Sequence, residues 1–81
     1  MDKRQIVLIE WLDSKFMGMW EHLYDLEPVE PCLCYSVGFL MEDRKDYKTI
    51  AIGISESQVL NRVAIPSGCI KSIKKLGELN E

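Results

Sequence analysis

Apolar and polar positions alternate along most of this chain, and that two-residue period is the one that β-strands produce. The alternation is clearest at residues 32–42 and 47–55, and the charged run between them predicts a hairpin turn. Residues 5–12 are apolar almost throughout, as in a strand that is covered on both faces. Shorter apolar runs at residues 60–65 and 70–76 predict two further strands. The pattern therefore predicts a mainly β chain with five strands.

The last two strands are joined by a Pro-x-Gly step with room for a single tight turn. Pro66 has no amide hydrogen to give to a sheet, and Gly68 tolerates conformations that other residues avoid. We expect a 3₁₀ turn at residues 67–70 that leads into a short fifth strand. A C-terminal amphipathic helix is the alternative interpretation. Gly38, inside the second strand, predicts a bend or a close approach of another backbone.

Five short strands in this order predict an SH3/Sm-like small β-barrel, with residues 1–81 forming one small domain. The first strand has two apolar faces, since residues of like parity point the same way. One face carries Val7, Ile9 and Trp11, and the other carries Ile6, Leu8 and Leu12. One face would fill the barrel, so the other needs a cover from the following loop or from another subunit.

A long segment at residues 15–31 separates the first two strands, and Pro28 and Pro31 close it. We predict a loop with one helical turn at residues 20–25. A loop of this length in so small a domain is uncommon unless it binds something or packs as a lid. The alternative is that Trp20 and Leu23 attach the loop to the barrel.

Composition favours a folded protein that associates with itself. The chain has 81 residues, of which 47% are hydrophobic, and this length supports only a thin core. Association would add burial, so a homo-oligomer is expected. The net charge of -3 disfavours nucleic acid as the main partner, because phosphate binding needs a cationic surplus. The acidic stretch at residues 21–30 and the lysines at residues 71–75 are either solvated or meet across a subunit interface.

The cysteine content and the hydropathy pattern predict a cytoplasmic protein. The chain has an odd number of cysteines, namely Cys32, Cys34 and Cys69, which does not suit a full set of disulfides. Its first residues also lack the pattern of a secretory signal. We expect them to be reduced, with the first two as small core residues. No metal and no cofactor are expected, since His22 is the only histidine. No membrane is expected, since no apolar run approaches the roughly 20 residues of a membrane span.

Several short segments carry a resemblance to a known group of proteins. They are Glu10-Trp11-Leu12-Asp13-Ser14, then Gly18 and Trp20, Cys34-Tyr35-Ser36-Val37-Gly38-Phe39-Leu40, and Ile65-Pro66-Ser67-Gly68-Cys69-Ile70 followed by Ile73. This pattern resembles small uncharacterised proteins of bacteriophages and prophages and extends over nearly the whole chain. The resemblance implies a phage protein acting in the host cytoplasm, and it implies no activity for particular residues.

Four residues are candidates for ligand binding. Asp13 and Ser14 end the first strand, where they would bind a base edge or, alternatively, bond to nearby backbone amides. Trp20 would stack on a ring, as aromatic platforms do for nucleotides. Arg62 would meet a phosphate, or would be solvated or paired at an interface.

The expected function is non-enzymatic. His22 lies on a loop, where a base with fixed geometry is not expected, and no glycine-rich phosphate loop is present. By analogy with small phage proteins that sequester nucleotide second messengers, the resemblance leads us to expect an oligomeric binding protein that captures a small nucleotide and so blunts host defence. The first alternative is an interaction module that inhibits a host enzyme through the acidic stretch, as a mimic of nucleic acid. The second is an Sm-like RNA binder that uses the face at residues 71–75.

Overall fold

The structure is a computed structural model that describes residues 3–80. Five strands and two 3₁₀ turns make up its regular structure, and those residues contain no helix long and apolar enough to span a membrane. The strands are β1 (Lys3–Asp13), β2 (Cys32–Asp43), β3 (Tyr47–Ile54), β4 (Val59–Pro66) and β5 (Ile70–Asn80). The mainly β prediction is confirmed, and the C-terminal segment is a strand rather than the alternative helix.

The five strands form one antiparallel sheet in the order β4-β3-β2-β1-β5. The two edge strands are consecutive in sequence, and the 3₁₀ turn Ser67–Cys69 joins them. This turn lies where the Pro-x-Gly step predicts it. Within the part of the chain that the structure describes, no ladder pairs β4 with β5. The sheet is therefore open, and closure into a barrel stays a prediction.

The core is small and draws on strands that are not neighbours in the sheet. The buried residues that pack together in it are Val7 and Ile9 on β1, Ile50 on β3 and Ile65 on β4. The sheet must bend for Ile65 to share a cluster with β1, because two other strands separate β4 from β1. Each buried side chain of this size stabilises the fold by about 1.5 to 3 kcal/mol. Four such residues make the thin core that the chain length predicts.

Gly38 permits a close approach between two strands of the sheet. A Cβ atom at this position would lie 2.6 Å from the carbonyl oxygen of Ala51 and 3.2 Å from the Cβ of Ile50. Both atoms belong to β3, the neighbour of β2. The prediction of a close backbone approach at Gly38 is confirmed.

The two faces of β1 differ in how well the chain covers them. Val7 and Ile9 are buried in the core. On the other face Ile6 and Leu8 are half-buried, and Leu12 is exposed. The long loop does not provide the cover that this face was expected to need, since its residues are exposed along their whole length.

The molecule is extended. Its radius of gyration is 16.7 Å, and its principal extents are 59 × 22 × 20 Å. A compact domain of this length would have a radius of gyration of about 12 Å. The chain therefore exposes much more of its surface than a compact monomer would.

Candidate functional site

Residues 14–31 connect β1 to β2 as an extended segment, which we call the arm. Every arm residue is exposed, although eight of them have large apolar side chains. These are Phe16, Met17, Met19, Trp20, Leu23, Tyr24, Leu26 and Val29. Scattered single apolar residues are normal on a protein surface, but eight large apolar side chains exposed within 18 residues are a concentration typical of interaction sites. The arm is thus the principal candidate for recognition.

The arm has little internal structure. Its one regular element is the 3₁₀ turn Leu23–Asp25, in which the amide of Asp25 donates to the carbonyl oxygen of His22 at 3.1 Å. The helical turn expected at residues 20–25 is therefore shorter than predicted. Trp20 is 102% exposed, so the alternative in which it attaches the loop to the sheet is wrong for the single chain. The indole ring is fully available to a partner.

Asp13 and Ser14 lie where β1 ends and the arm begins. The backbone amide of Ser14 donates to the Oδ1 atom of Asp13 at 2.8 Å. This is the local bond that ends a strand, and it leaves the second carboxylate oxygen of Asp13 free for another donor. The pair opens onto solvent beside the arm, since both residues are exposed.

Arg62 lies on β4 and is paired with a carboxylate. Its Nη1 atom is 3.6 Å from the Oε1 atom of Glu42. Glu42 also accepts hydrogen bonds from the hydroxyls of Thr49 at 3.3 Å and Tyr47 at 3.4 Å. The sequence pattern placed Glu42 where the second strand meets the charged turn and gave no sign of this role. Strand β2 extends to Asp43, and that extension places Glu42 beside β3.

The sheet register separates Arg62 from the other three candidates. Arg62 pairs with Ala51, which pairs with Phe39 on β2. Phe39 pairs with Ile6 on β1. Asp13 lies seven residues further along β1, which is about 23 Å of extended strand. One copy of the chain therefore brings Asp13 and Ser14 to the base of the arm and leaves Arg62 distant from them.

A tryptophan and a serine brace the sheet at the base of the arm. The Nε1–H of Trp11 donates to the Oγ of Ser36 at 3.0 Å. Nearby, the Cys34 thiol donates weakly to the carbonyl oxygen of Cys32 at 3.6 Å. Burial raises the pKa of the Cys34 thiol, and the adjacent Cys32 raises it further. Cys34 is thus protonated at neutral pH and a poor nucleophile. Cys32 is exposed, so its expected core position is wrong.

The arm encloses a shallow hollow of about 310 Å³ with an acidic lining. Glu21, Asp25 and Glu27 contribute carboxylates to it, and Lys15 is its one cation. This charge repels phosphate. No group of three His, Cys, Asp or Glu side chains between residues 3 and 80 is arranged to hold a metal ion.

A second hollow, of about 340 Å³, lies at the turn between β3 and β4. Arg4 lines it together with Met41 and the turn residues 54–59, and the Nη1 atom of Arg4 is 3.5 Å from the carbonyl oxygen of Met41. The hollow is open and holds a single cation. No signal in the sequence predicted it, because Arg4 and the turn are distant along the chain.

Comparison with family models, with curated proteins and with solved structures gave no match to this chain.

Proposed function

We propose that this protein is a non-enzymatic binding protein that acts as an oligomer and captures a small nucleotide on its arm. The observation that carries the proposal is the fully exposed Trp20, which offers both faces of its indole ring to a planar ligand. Stacking of a base on an aromatic side chain contributes about 1 to 3 kcal/mol. Asp13 and Ser14, at the base of the same arm, supply acceptors and a donor for a base edge.

The phosphate of such a ligand would be held by a second copy of the chain. The arm itself is acidic, so it supplies no favourable field for an anion. The cation proposed for this role, Arg62, is about 23 Å of strand away from Asp13 within one chain. A site that combines Trp20 and Arg62 therefore requires two copies, and this requirement links the ligand to the oligomer.

We also propose that the protein has no catalytic activity. His22 is exposed on the arm, where nothing fixes its ring, and the raised pKa of Cys34 keeps that thiol protonated. A nucleophile needs a base and an orienting group held in fixed geometry. Stoichiometric capture needs neither.

The finer fold and the origin are also proposals. The strand order places β4 and β5 at the two edges with a single 3₁₀ turn between them. This order supports the proposal of an SH3/Sm-like small barrel, in which these two edges would pair. The motif pattern around Trp11, Gly38 and Pro66 supports a phage or prophage origin, and with it an anti-defence role in the host cytoplasm.

Titration calorimetry tests nucleotide capture. The protein is titrated with cyclic dinucleotides, cyclic ADP-ribose isomers and short RNA. One nucleotide is expected to bind, and Trp20→Ala is expected to weaken it about 5- to 150-fold, as loss of 1 to 3 kcal/mol implies. Met19→Ala is the matched control, because Met19 is the neighbouring residue, is also largely exposed at 81%, and cannot stack in this way. No binding by any of these ligands, or equal losses in both variants, would reject the proposal.

An interaction module that inhibits a host protein is the second candidate. It is favoured by one observation, namely that the arm combines eight exposed apolar side chains with a hollow lined by carboxylates. Capture of one host protein by the wild type, lost when the arm acids are replaced by their amides, would support it. Binding of RNA alone, lost on replacing Lys71 and Lys74, would instead support the Sm-like alternative.

A further inference from the structure

We infer that the arm of each copy docks on the sheet of a second copy of the same chain, across the surface that we call the outer face. The outer face is the side of β1, β2 and β5 opposite the core. Its residues include Leu8, Glu10, Leu12, Leu33, Tyr35, Val37 and Lys74. The inference goes beyond ligand capture, because the arms can dock whether or not a nucleotide binds.

The strand register shows that the outer face carries both apolar and charged side chains. Val37 on β2 pairs with Leu8 on β1, and Leu8 pairs with Lys74 on β5. Paired residues share a face, so these three side chains form one row across the sheet. Leu12 and Leu33 form a second row nearer the arm. Between these two rows Glu10 pairs with Tyr35 on β2 and with Ser72 on β5. The apolar band of the outer face therefore consists of two apolar rows on β1 and β2 with the Glu10 carboxylate between them, and Lys74 lies at its β5 border.

The arm carries exposed apolar side chains and acids that could pair with this face. Its apolar side chains have no partner in their own chain, as their exposure shows. Its acids, Glu21, Asp25, Glu27 and Glu30, take part in none of the ion pairs found among residues 3–80. Lys74 is likewise outside those ion pairs. The apolar side chains of the arm match the two apolar rows of the band, and its acids match Lys74 at the β5 border, where they would lie away from Glu10.

The exposed area is large enough for such an interface. The chain exposes 6693 Å², whereas a compact monomer of its mass would expose about 5,000 Å². The excess is about 1,700 Å² per chain, and a standard interface buries about 800 Å² on each partner. Burial of an arm and of an outer face by each copy would account for this excess.

Two-fold symmetry makes the contact reciprocal. In a closed dimer, the surface that one copy offers is also the surface that it receives, so each arm-to-face contact occurs twice. The arm follows β1 directly and returns into β2, the two strands that carry the apolar band. A pair of antiparallel copies therefore places each arm alongside the outer face of the other.

Photo-crosslinking tests the contact on the intact protein. Phe16, an arm residue whose ring is 88% exposed and which has no part in the proposed nucleotide site, is replaced by the photoreactive residue benzoylphenylalanine. The change keeps an aromatic side chain on the arm and leaves Trp20 in place. After irradiation, a denaturing gel separates crosslinks within one chain from crosslinks between two chains. Peptide mapping then locates the second attachment point. We expect a covalent dimer with attachment in residues 32–43 or in β1. Crosslinks confined to the monomer band, or a dimer joined arm to arm, would overturn the inference.

A matched pair of substitutions provides an independent readout. Val37→Asp puts a carboxylate on the outer face, and Ile52→Asp makes the same kind of change on the opposite face of the sheet. Both side chains are already exposed, at 56% and 62%, so neither change empties the core. Light scattering at a fixed protein concentration should show that Val37→Asp lowers the mass to that of one chain and that Ile52→Asp leaves it unchanged. The reverse result, or a wild type that is already monomeric, would overturn the inference.

Discussion

The substitution Gly38→Ala tests the central packing of the sheet. The added methyl group would lie 2.6 Å from the carbonyl oxygen of Ala51 and 3.2 Å from the Cβ of Ile50. Both neighbours belong to the backbone or the stem of β3, so no flexible side-chain end can move aside. Strands β2 and β3 must separate, and overpacking of this kind costs about 1 to 3 kcal/mol. The Ile50 side chain is part of the core, so the strain reaches the core as well.

Gly53→Ala is the matched control for this measurement. Gly53 lies in β3 of the same sheet, and its added Cβ would meet only the Leu60 side chain, at an ordinary 3.6 Å. This variant should be neutral or more stable by up to about 1 kcal/mol, since alanine restricts the unfolded chain. Urea unfolding at one protein concentration measures both variants, because association also changes apparent stability. Equal free energies of unfolding in the two variants would refute the close-approach argument.

Three further predictions concern the bonds around the candidate site. Trp11→Phe should lower the free energy of unfolding by about 0.5 to 3 kcal/mol, and adding Ser36→Ala should cost little more, because the two share one hydrogen bond. Arg62→Ala should change the free energy of unfolding by less than about 1 kcal/mol, since its ion pair with Glu42 is exposed. A loss of nucleotide binding in this variant would then reflect a direct contact with the ligand rather than unfolding. Cys32 should react with iodoacetamide faster than Cys34 at about pH 8, because the raised pKa of the Cys34 thiol leaves less of it as thiolate. Peptide mass mapping measures the two rates, and faster labelling of Cys34 would contradict this prediction.

The elements that the sequence predicted correctly depend on local chemistry. Alternation identifies β2 and β3, since a strand with one buried face needs that period. The turn after Pro66 follows from a residue without an amide hydrogen and a nearby glycine. Gly38 likewise marks a close approach, because a glycine inside an alternating strand leaves room for another backbone.

The features that the sequence did not predict depend on register and on association. Nothing local to Glu42 shows that it accepts hydrogen bonds from β3, because its partners depend on how far β2 extends. The separation between Arg62 and Asp13 follows from three successive strand pairings, and no spacing in the sequence encodes it. The exposure of Trp20 is a third case, because periodicity within a loop does not say whether its partner lies in the same chain.

The central claim is that the arm recognises a partner and that the first partner is another copy of the chain. Light scattering coupled to size-exclusion chromatography tests it most directly. At about 50 µM, well above the dissociation constant of a stable dimer, the account predicts a mass of at least two chains for the wild type. It also predicts the mass of one chain for Val37→Asp. A wild-type protein with the mass of one chain at that concentration would contradict the account.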